Sequence, residues 1–239
     1  MALILSIETA TDVCSVALSD DQTIIDSISI NEKNVHSAKL AKLIEQIVTM
    51  CGKTFNDLNA IAVSKGPGSF TGLRIGISIG KGLAYGLDIP IIGINTLESI
   101  AYKASQQNNH PDVIWCPVID ARNNEVYYAL YDQELKEILP ANAGLLHADT
   151  FTQQQIKGEI RYTGPAVESG TIPKLLLSES ACIFDIKINA ASIAQLAFKK
   201  YIAQDFENIT FFEPFYLRDF VARNISSRIK NVLHPGNKN

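Results

Sequence analysis

Cysteine is scarce and scattered. Cys14, Cys51, Cys116 and Cys182 stand far apart, and no Cys-x-x-Cys pair offers a redox couple or half of a zinc knuckle, so all four read as reduced thiols. The four histidines, His36, His110, His147 and His234, show no His-x-x-x-His or His-Glu-x-x-His spacing. Two ligands therefore cannot share a helix face, and no metal is expected. No Ser-His-Asp or Cys-His set can be assembled to support a peptidase. Long apolar runs are missing too: none approaches the roughly 20 residues of a membrane helix. Met1 to Thr11 lacks a basic n-region and meets Glu8 too early for a secretory signal, which points to a cytoplasmic protein. Positive charge is short: a net charge of -4 excludes a protein that grips nucleic acid over its whole surface, so any RNA contact should be local.

What is present is a chain of 239 residues, 46% of them hydrophobic, enough for one domain or two with proper cores. Its most specific stretch is Lys65-Gly66-Pro67-Gly68-Ser69-Phe70-Thr71-Gly72-Leu73-Arg74-Ile75-Gly76. The apolar run Ala60 to Val63 reads as a buried strand, Pro67 and the glycines end it, and Thr71 to Leu87 reads as a helix. Gly72, Gly76 and Gly80 share one face of that helix. An interior helical glycine costs about 1 kcal/mol relative to alanine, so three on one face imply a backbone that must approach something closely, expected to be another helix. The helix start near Ser69, Thr71 and Arg74 also offers N–H groups for an anion. The spacing is not that of a phosphate loop, since Gly72 is followed by Leu73 and Arg74 where Lys-Ser/Thr is required, and no Rossmann fingerprint is present.

Ala2 to Ile7, Cys14 to Ser19 and Gln22 to Ile30 read as a meander of three strands turning at Asp20-Asp21. Leu40, Leu43, Ile44, Ile47, Val48 and Cys51 follow helical spacing, with Asn34 or Ser37 as the expected cap. The strand at 60–64, the glycine-faced helix, a strand at Ile91 to Ile94 and a helix opened by Asn95 with Glu98 complete a βββαβαβα order. Ser105 to Asp112 is polar and suits a linker, which divides the chain into 1–104 and 105–221. Beyond it the pattern restarts: Glu8, Ala17, Leu18 and Asp20 match Asp120, Ala129, Leu130 and Asp132 at an offset of 112 (120 minus 8). Thr150 to Ile156 and Ala190 to Ala203 are helical candidates, the second able to pack back on the first half. From Ala222 to residue 239 there are Arg223, Arg228, Lys230 and Lys238 and no acid, read as a solvated tail. Asp120, Arg122, Glu125 and Tyr127 form either a charged cluster at a cleft or a turn with its own ion pair.

Taken together, Ile7-Glu8-Thr9-Ala10-Thr11, the glycine segment Gly66 to Gly76, Asp120-Ala121-Arg122 with Glu125-Val126-Tyr127, and Pro214-Phe215-Tyr216-Leu217-Arg218 resemble the TsaB (YeaZ) family. The resemblance runs from Met1 to about Arg218. It implies an α/β, actin-like (ASKHA) fold of two ribonuclease-H-like domains with mixed sheets. It also implies a non-catalytic dimerisation subunit of the bacterial machinery that makes N6-threonylcarbamoyladenosine in tRNA. The partners implied are a paralogous, metal-dependent transferase of the TsaD type and a small P-loop ATPase of the TsaE type. Further implied are a homodimer when the chain is alone, and tRNA met through the complex. No cofactor of its own is implied, with a nucleotide at the heterodimer contact left open.

In that family the first two helices pair with those of the partner. The residues expected at such a contact here are Gly68, Ser69, Phe70, Thr71, Gly72, Arg74, Ile75, Gly76 and Gly80, with Leu40, Leu43, Ile47 and Ile79 as candidates for the apolar seam. Glu8 departs from the aspartate usual there, and its expected role is to accept backbone hydrogen bonds in the turn with Thr9 and Thr11. The rival reading is an actin-like phosphotransferase acting on a small molecule, suggested by the strand order and the Glu8-Thr9-Ala10-Thr11 turn. It lacks a convincing second phosphate loop, since Thr163-Gly164-Pro165 and Ser169-Gly170 read as ordinary turns.

Overall fold

The computed structural model describes residues 1–107, 112–147, 149–151, 158–172, 182–183, 186 and 188–217. β1 (Leu3–Glu8), β2 (Val13–Asp20) and β3 (Thr23–Asn31) form the antiparallel meander, followed by α1 (His36–Met50), a 3-10 turn at Phe55–Asp57, β4 (Ala60–Gly66), α2 (Phe70–Leu87), β5 (Ile91–Asn95) and α3 (Thr96–Gln107). The second half holds β6 (Val113–Arg122), β7 (Glu125–Tyr131), β8 (Glu137–Gly144), β9 (Glu159–Thr163), the single-turn α4 (Pro165–Glu168), β10 (Cys182–Ile183) and α5 (Ala190–Ile202). The strands build two five-stranded sheets in the orders β3-β2-β1-β4-β5 and β8-β7-β6-β9-β10.

The two sheets repeat one plan. β1 runs antiparallel to β2 and parallel to β4, and β6 runs antiparallel to β7 and parallel to β9. The offset of 112 read from the sequence holds at the starts of β2 and β7 (125 minus 13) but not beside them, where β1 and β6 start 110 apart (113 minus 3) and β3 and β8 114 apart (137 minus 23), because the turns within the two meanders differ in length.

Every residue of β1 is buried, since both faces of its sheet are covered. Leu3, Leu5 and Ile7 pack with Leu40, Leu43, Ile44 and Ile47 of α1 and Ile77 and Ala84 of α2. On the opposite face, Ala2 and Ile4 meet Ala60, Ala62, Ile92 and Ile94, and this layer is closed by Ile193, Leu196 and Ala197 of α5. A helix of the second half thus covers the first sheet. The reverse also holds: Leu97, Ile100, Ala101 and Ala104 of α3 pack on Val113, Trp115 and Ile119 of the second sheet. Trp115, the chain's one tryptophan, is completely buried in that layer.

Several local expectations are corrected. α1 begins after Val35 with no side-chain cap. Asn34 instead takes the left-handed conformation (φ 63°) of the preceding turn, and Ser37 already lies inside the helix. The polar stretch at 105–112 opens as helix: α3 runs on to Gln107, and 108–111 fall outside the described residues. Asn95 does cap α3, its Oδ1 accepting from the N–H groups of Leu97 (2.8 Å) and Glu98 (3.3 Å). Of the helix expected at 150–156, all but Thr150 and Phe151, which lie in a turn, fall outside the described residues, as does the basic stretch from 222 to 239. Among the described residues no helix is long and apolar enough to cross a membrane.

Because α3 and α5 each complete the other half's core, denaturant unfolding followed by circular dichroism and by Trp115 fluorescence should give one coincident transition. Ile193→Ala should lower stability by about 2–5 kcal/mol in both signals together. Two separated transitions would mean that the exchanged helices do not unite the halves.

Candidate functional site at the glycine-faced helix

Strand β4 ends at Gly66, whose backbone (φ 110°) lies in the region that favours glycine and whose missing Cβ leaves room for the Phe215 carbonyl oxygen. Ser69 caps α2 by accepting the Gly72 N–H at 3.2 Å. The glycine face then receives the β1–β2 turn. A Cβ at Gly68 would strike the Ala10 carbonyl oxygen, one at Gly72 the Thr9 carbonyl oxygen and one at Gly76 the Thr9 hydroxyl. One at Gly80 would meet Val63 Cγ1 at 2.6 Å. The Ser69 N–H donates to the Ala10 carbonyl at 2.7 Å, so the chain's own turn occupies the mouth of the helix where an anion was considered.

This redirects the close approach predicted from the sequence. The glycines meet the sheet and its first turn, not another helix. Gly72, Gly76 and Gly80 are buried, and so are Leu40, Leu43 and Ile47 (0, 5 and 0% exposed), all three within the core of their own sheet. Of the other expected contact residues, Thr71 and Arg74 are exposed and Gly68, Ser69, Phe70, Ile75 and Ile79 are half-buried. The outward face of α2 carries residues that the sequence reading passed over: Ser78, Gly82, Tyr85 (80% exposed) and Gly86, with Met50 (61% exposed) exposed at the end of α1. A Cβ built at Gly82 or Gly86 meets nothing. Their i, i+4 spacing, two residues out of step with Gly72-Gly76-Gly80, was the available signal of a second glycine face.

The Pro214-Phe215-Tyr216 segment lies against the same loop. Phe215 N–H donates to the Lys65 carbonyl (2.7 Å), Lys81 Nζ donates to the Phe212 carbonyl (3.0 Å), and Lys65 pairs with Glu207 (3.1 Å). The Arg74 guanidinium lies 4.0 Å over the Phe70 ring and donates through Nε to the Tyr216 hydroxyl at 2.9 Å. Nothing in the local periodicity foretells contacts that join residues 142 positions apart.

Glu8 is fully enclosed at the end of β1. Its Oε1 accepts the Ala10 N–H at 2.6 Å, while Oε2 has no partner among the described residues. Ser64 Oγ accepts the Thr9 N–H at 3.2 Å, and Thr11 Oγ1 accepts from Val13 N–H, not from the Glu8 side. Burial pushes the Glu8 carboxyl up to about 7, against the opposing pull of the Ala10 N–H, the Ser64 hydroxyl and the Thr9 N–H. Among the described residues no three His, Cys, Asp or Glu side chains converge in a way that could hold a metal. Asp120 accepts the Arg122 N–H at 2.7 Å, and Arg122, Asn123 and Asn124 take left-handed conformations, so this stretch is a hairpin turn with both charged groups exposed.

Two measurements follow from this geometry. A carboxyl whose folded value is raised is best tolerated protonated, so it contributes stability below its usual 4.5 that is lost as pH rises towards 7. Unfolding free energies between pH 4 and pH 8 should show a loss of up to about 3 kcal/mol that Glu8→Gln removes. Gly76→Ala should destabilise by about 1–3 kcal/mol through overpacking on Thr9. Gly82→Ala should stabilise by about 0.5–1 kcal/mol, because it adds helix propensity into open space. Equal effects at the two positions would contradict the inward seat.

Residues 23–161 match the family described as "TsaD: tRNA N6-adenosine threonylcarbamoyltransferase". The "tRNA threonylcarbamoyladenosine biosynthesis protein TsaB" of Haemophilus influenzae is 30% identical over 236 residues, covering 92% of this chain and 94% of that protein. The protein of the same name from Escherichia coli is 39% identical over 157 residues, 66% of this chain; the chain spans 63% of that relative's length. Among solved structures, YeaZ from Pseudomonas aeruginosa superposes with a TM-score of 0.70 at 23% identity, covering 91% of this chain and all of that one. The duplicated mixed sheets therefore form an α/β, actin-like (ASKHA) fold. With a relative matched along nearly its whole length, the chain belongs to the TsaB (YeaZ) family.

Proposed function

We propose that this chain is a non-catalytic, cytoplasmic subunit in the synthesis of tRNA N6-threonylcarbamoyladenosine, which binds and activates the paralogous TsaD-type threonylcarbamoyltransferase. A small TsaE-type ATPase would join the pair, tRNA would be met through the assembly, and the chain alone would form a homodimer through the surface it offers the paralogue. The observation that carries this reading is the state of Glu8. An actin-like phosphotransferase needs an accessible carboxylate at the end of its first strand and an open helix mouth for phosphate. Here the carboxyl is sealed and the helix mouth is filled by the Ala10 carbonyl. The phosphotransferase alternative has correspondingly little support.

The contact surface is reassigned within this reading. Leu40, Leu43, Ile47, Gly72, Gly76 and Gly80 are consumed by the chain's own core. The proposed contact uses Arg74, Ile75 and Ile79 of the earlier set, joined by Gly82, Tyr85 and Gly86. Gly82 and Gly86 permit a partner's backbone to come close, and Tyr85 brings a large ring with a polar tip of the kind that anchors interfaces.

Light scattering after gel filtration, on the chain alone and mixed with its paralogue, should show a homodimer yielding to a one-to-one heterodimer. Gly82→Leu and Tyr85→Ala should fold normally and weaken that heterodimer about tenfold or more. Unchanged affinity in both variants would refute the α2 face, and no complex with the native chain would refute the subunit role.

A further inference from the structure

The segment from Ala203 to Tyr216 does more than cover the β4–α2 loop. It lines an open recess of about 500 Å³ at the carboxyl ends of β4 and β5, bordered by Lys65, Glu207, Phe211, Glu213 and Phe215. The frame is fixed at several points. The Glu207 N–H donates to the Ile91 carbonyl at 2.9 Å, and its carboxylate sits where a side chain at Gly93 would otherwise lie. The Phe215 N–H and the Phe212 carbonyl are tied to Lys65 and Lys81. Yet Phe211 is 79% and Phe215 is 40% exposed, so a firmly held backbone presents two aromatic rings to water.

The charges in the lining decide what these rings suit. Lys65 is neutralised by Glu207, both about 30% exposed, which leaves Glu213 with no bonded partner among the described residues and a lining of net negative charge. That disfavours a phosphate or a nucleic acid and favours a cation. Aromatic faces beside a carboxylate suit a planar guanidinium, which stacks on the ring while its N–H fork meets the acid. The chain itself uses this chemistry where Arg74 stacks on Phe70. We propose that the cavity receives an arginine side chain presented by a partner protein. The inference goes beyond the subunit role and rests on residues apart from the α2 face.

The test is a titration of the full-length chain, with Phe211 and Phe215 ring resonances followed by NMR. The probe is the capped tripeptide acetyl-Gly-Arg-Gly-amide, with the norleucine tripeptide and oligouridylate as comparisons. The arginine peptide alone should shift both rings saturably. Glu213→Gln and Phe211→Ala should each weaken it about fivefold, while Glu134→Gln, the same charge change on an exposed turn, should leave it unaltered. Both substitutions alter exposed side chains and should leave unfolding midpoints unchanged. No shift, an equal response to norleucine, or a response to oligouridylate instead would overturn the proposal. Tighter binding by an Arg218→Gln variant would also overturn it, because the chain's own next arginine would then be the occupant.

Discussion

The structure depends on the seating of one turn in one helix. β1 is the central strand of the first sheet, and the two carbonyls that follow it rest on bare backbone, that of Thr9 on Gly72 in α2 and that of Ala10 on Gly68 in the loop before it. That contact draws α2 in to the sheet by the depth of a side chain. It sets the height at which Leu73 and Ile77 enter the core, and it leaves Glu8 enclosed. It also engages the cap residue's N–H, that of Ser69, with the Ala10 carbonyl of the same turn. The cost of the interior glycines is offset by this close packing.

The second organising relation is the exchange of α3 and α5. The chain leaves β5, lays α3 on the second sheet, and returns α5 to the first. The C-terminal strap continues the return, crossing β5 at the Ile91–Glu207 bridge and reaching the loop before α2. The β4–α2 loop is therefore held from both sides: from within by the β1–β2 turn, and from without by residues 207–216. The sealed carboxyl and the clamped loop both follow from that path, and the outer faces of α1 and α2 stay exposed.

Much of this was legible in the residues. Strand periodicity and the Asp20-Asp21 turn placed the meander, and the loop Gly66 to Gly68 followed by small and apolar residues placed α2 within one residue of its start. Periodicity identifies which residues share a face but not what that face meets, so Gly72, Gly76 and Gly80 were grouped correctly and aimed at the wrong neighbour. Leu40 and Ile47 suffered the same ambiguity: a leucine stripe at helical spacing looks alike whether it fills a core or an interface. Asn34 failed as a cap because a residue favoured at caps is equally favoured in left-handed turns. The Arg74–Tyr216 and Lys65–Glu207 contacts had no local signature, being products of the tertiary path alone.

Trp115 gives the α3 exchange an optical aspect. The chain's one tryptophan is entirely enclosed in the layer that α3 forms with the second sheet, and its indole N–H finds no acceptor among the described residues. Its emission is thus set by the buried, apolar layer that joins α3 of the first half to the second sheet. The chain carries a built-in reporter of whether α3 of the first half stays seated on the second sheet.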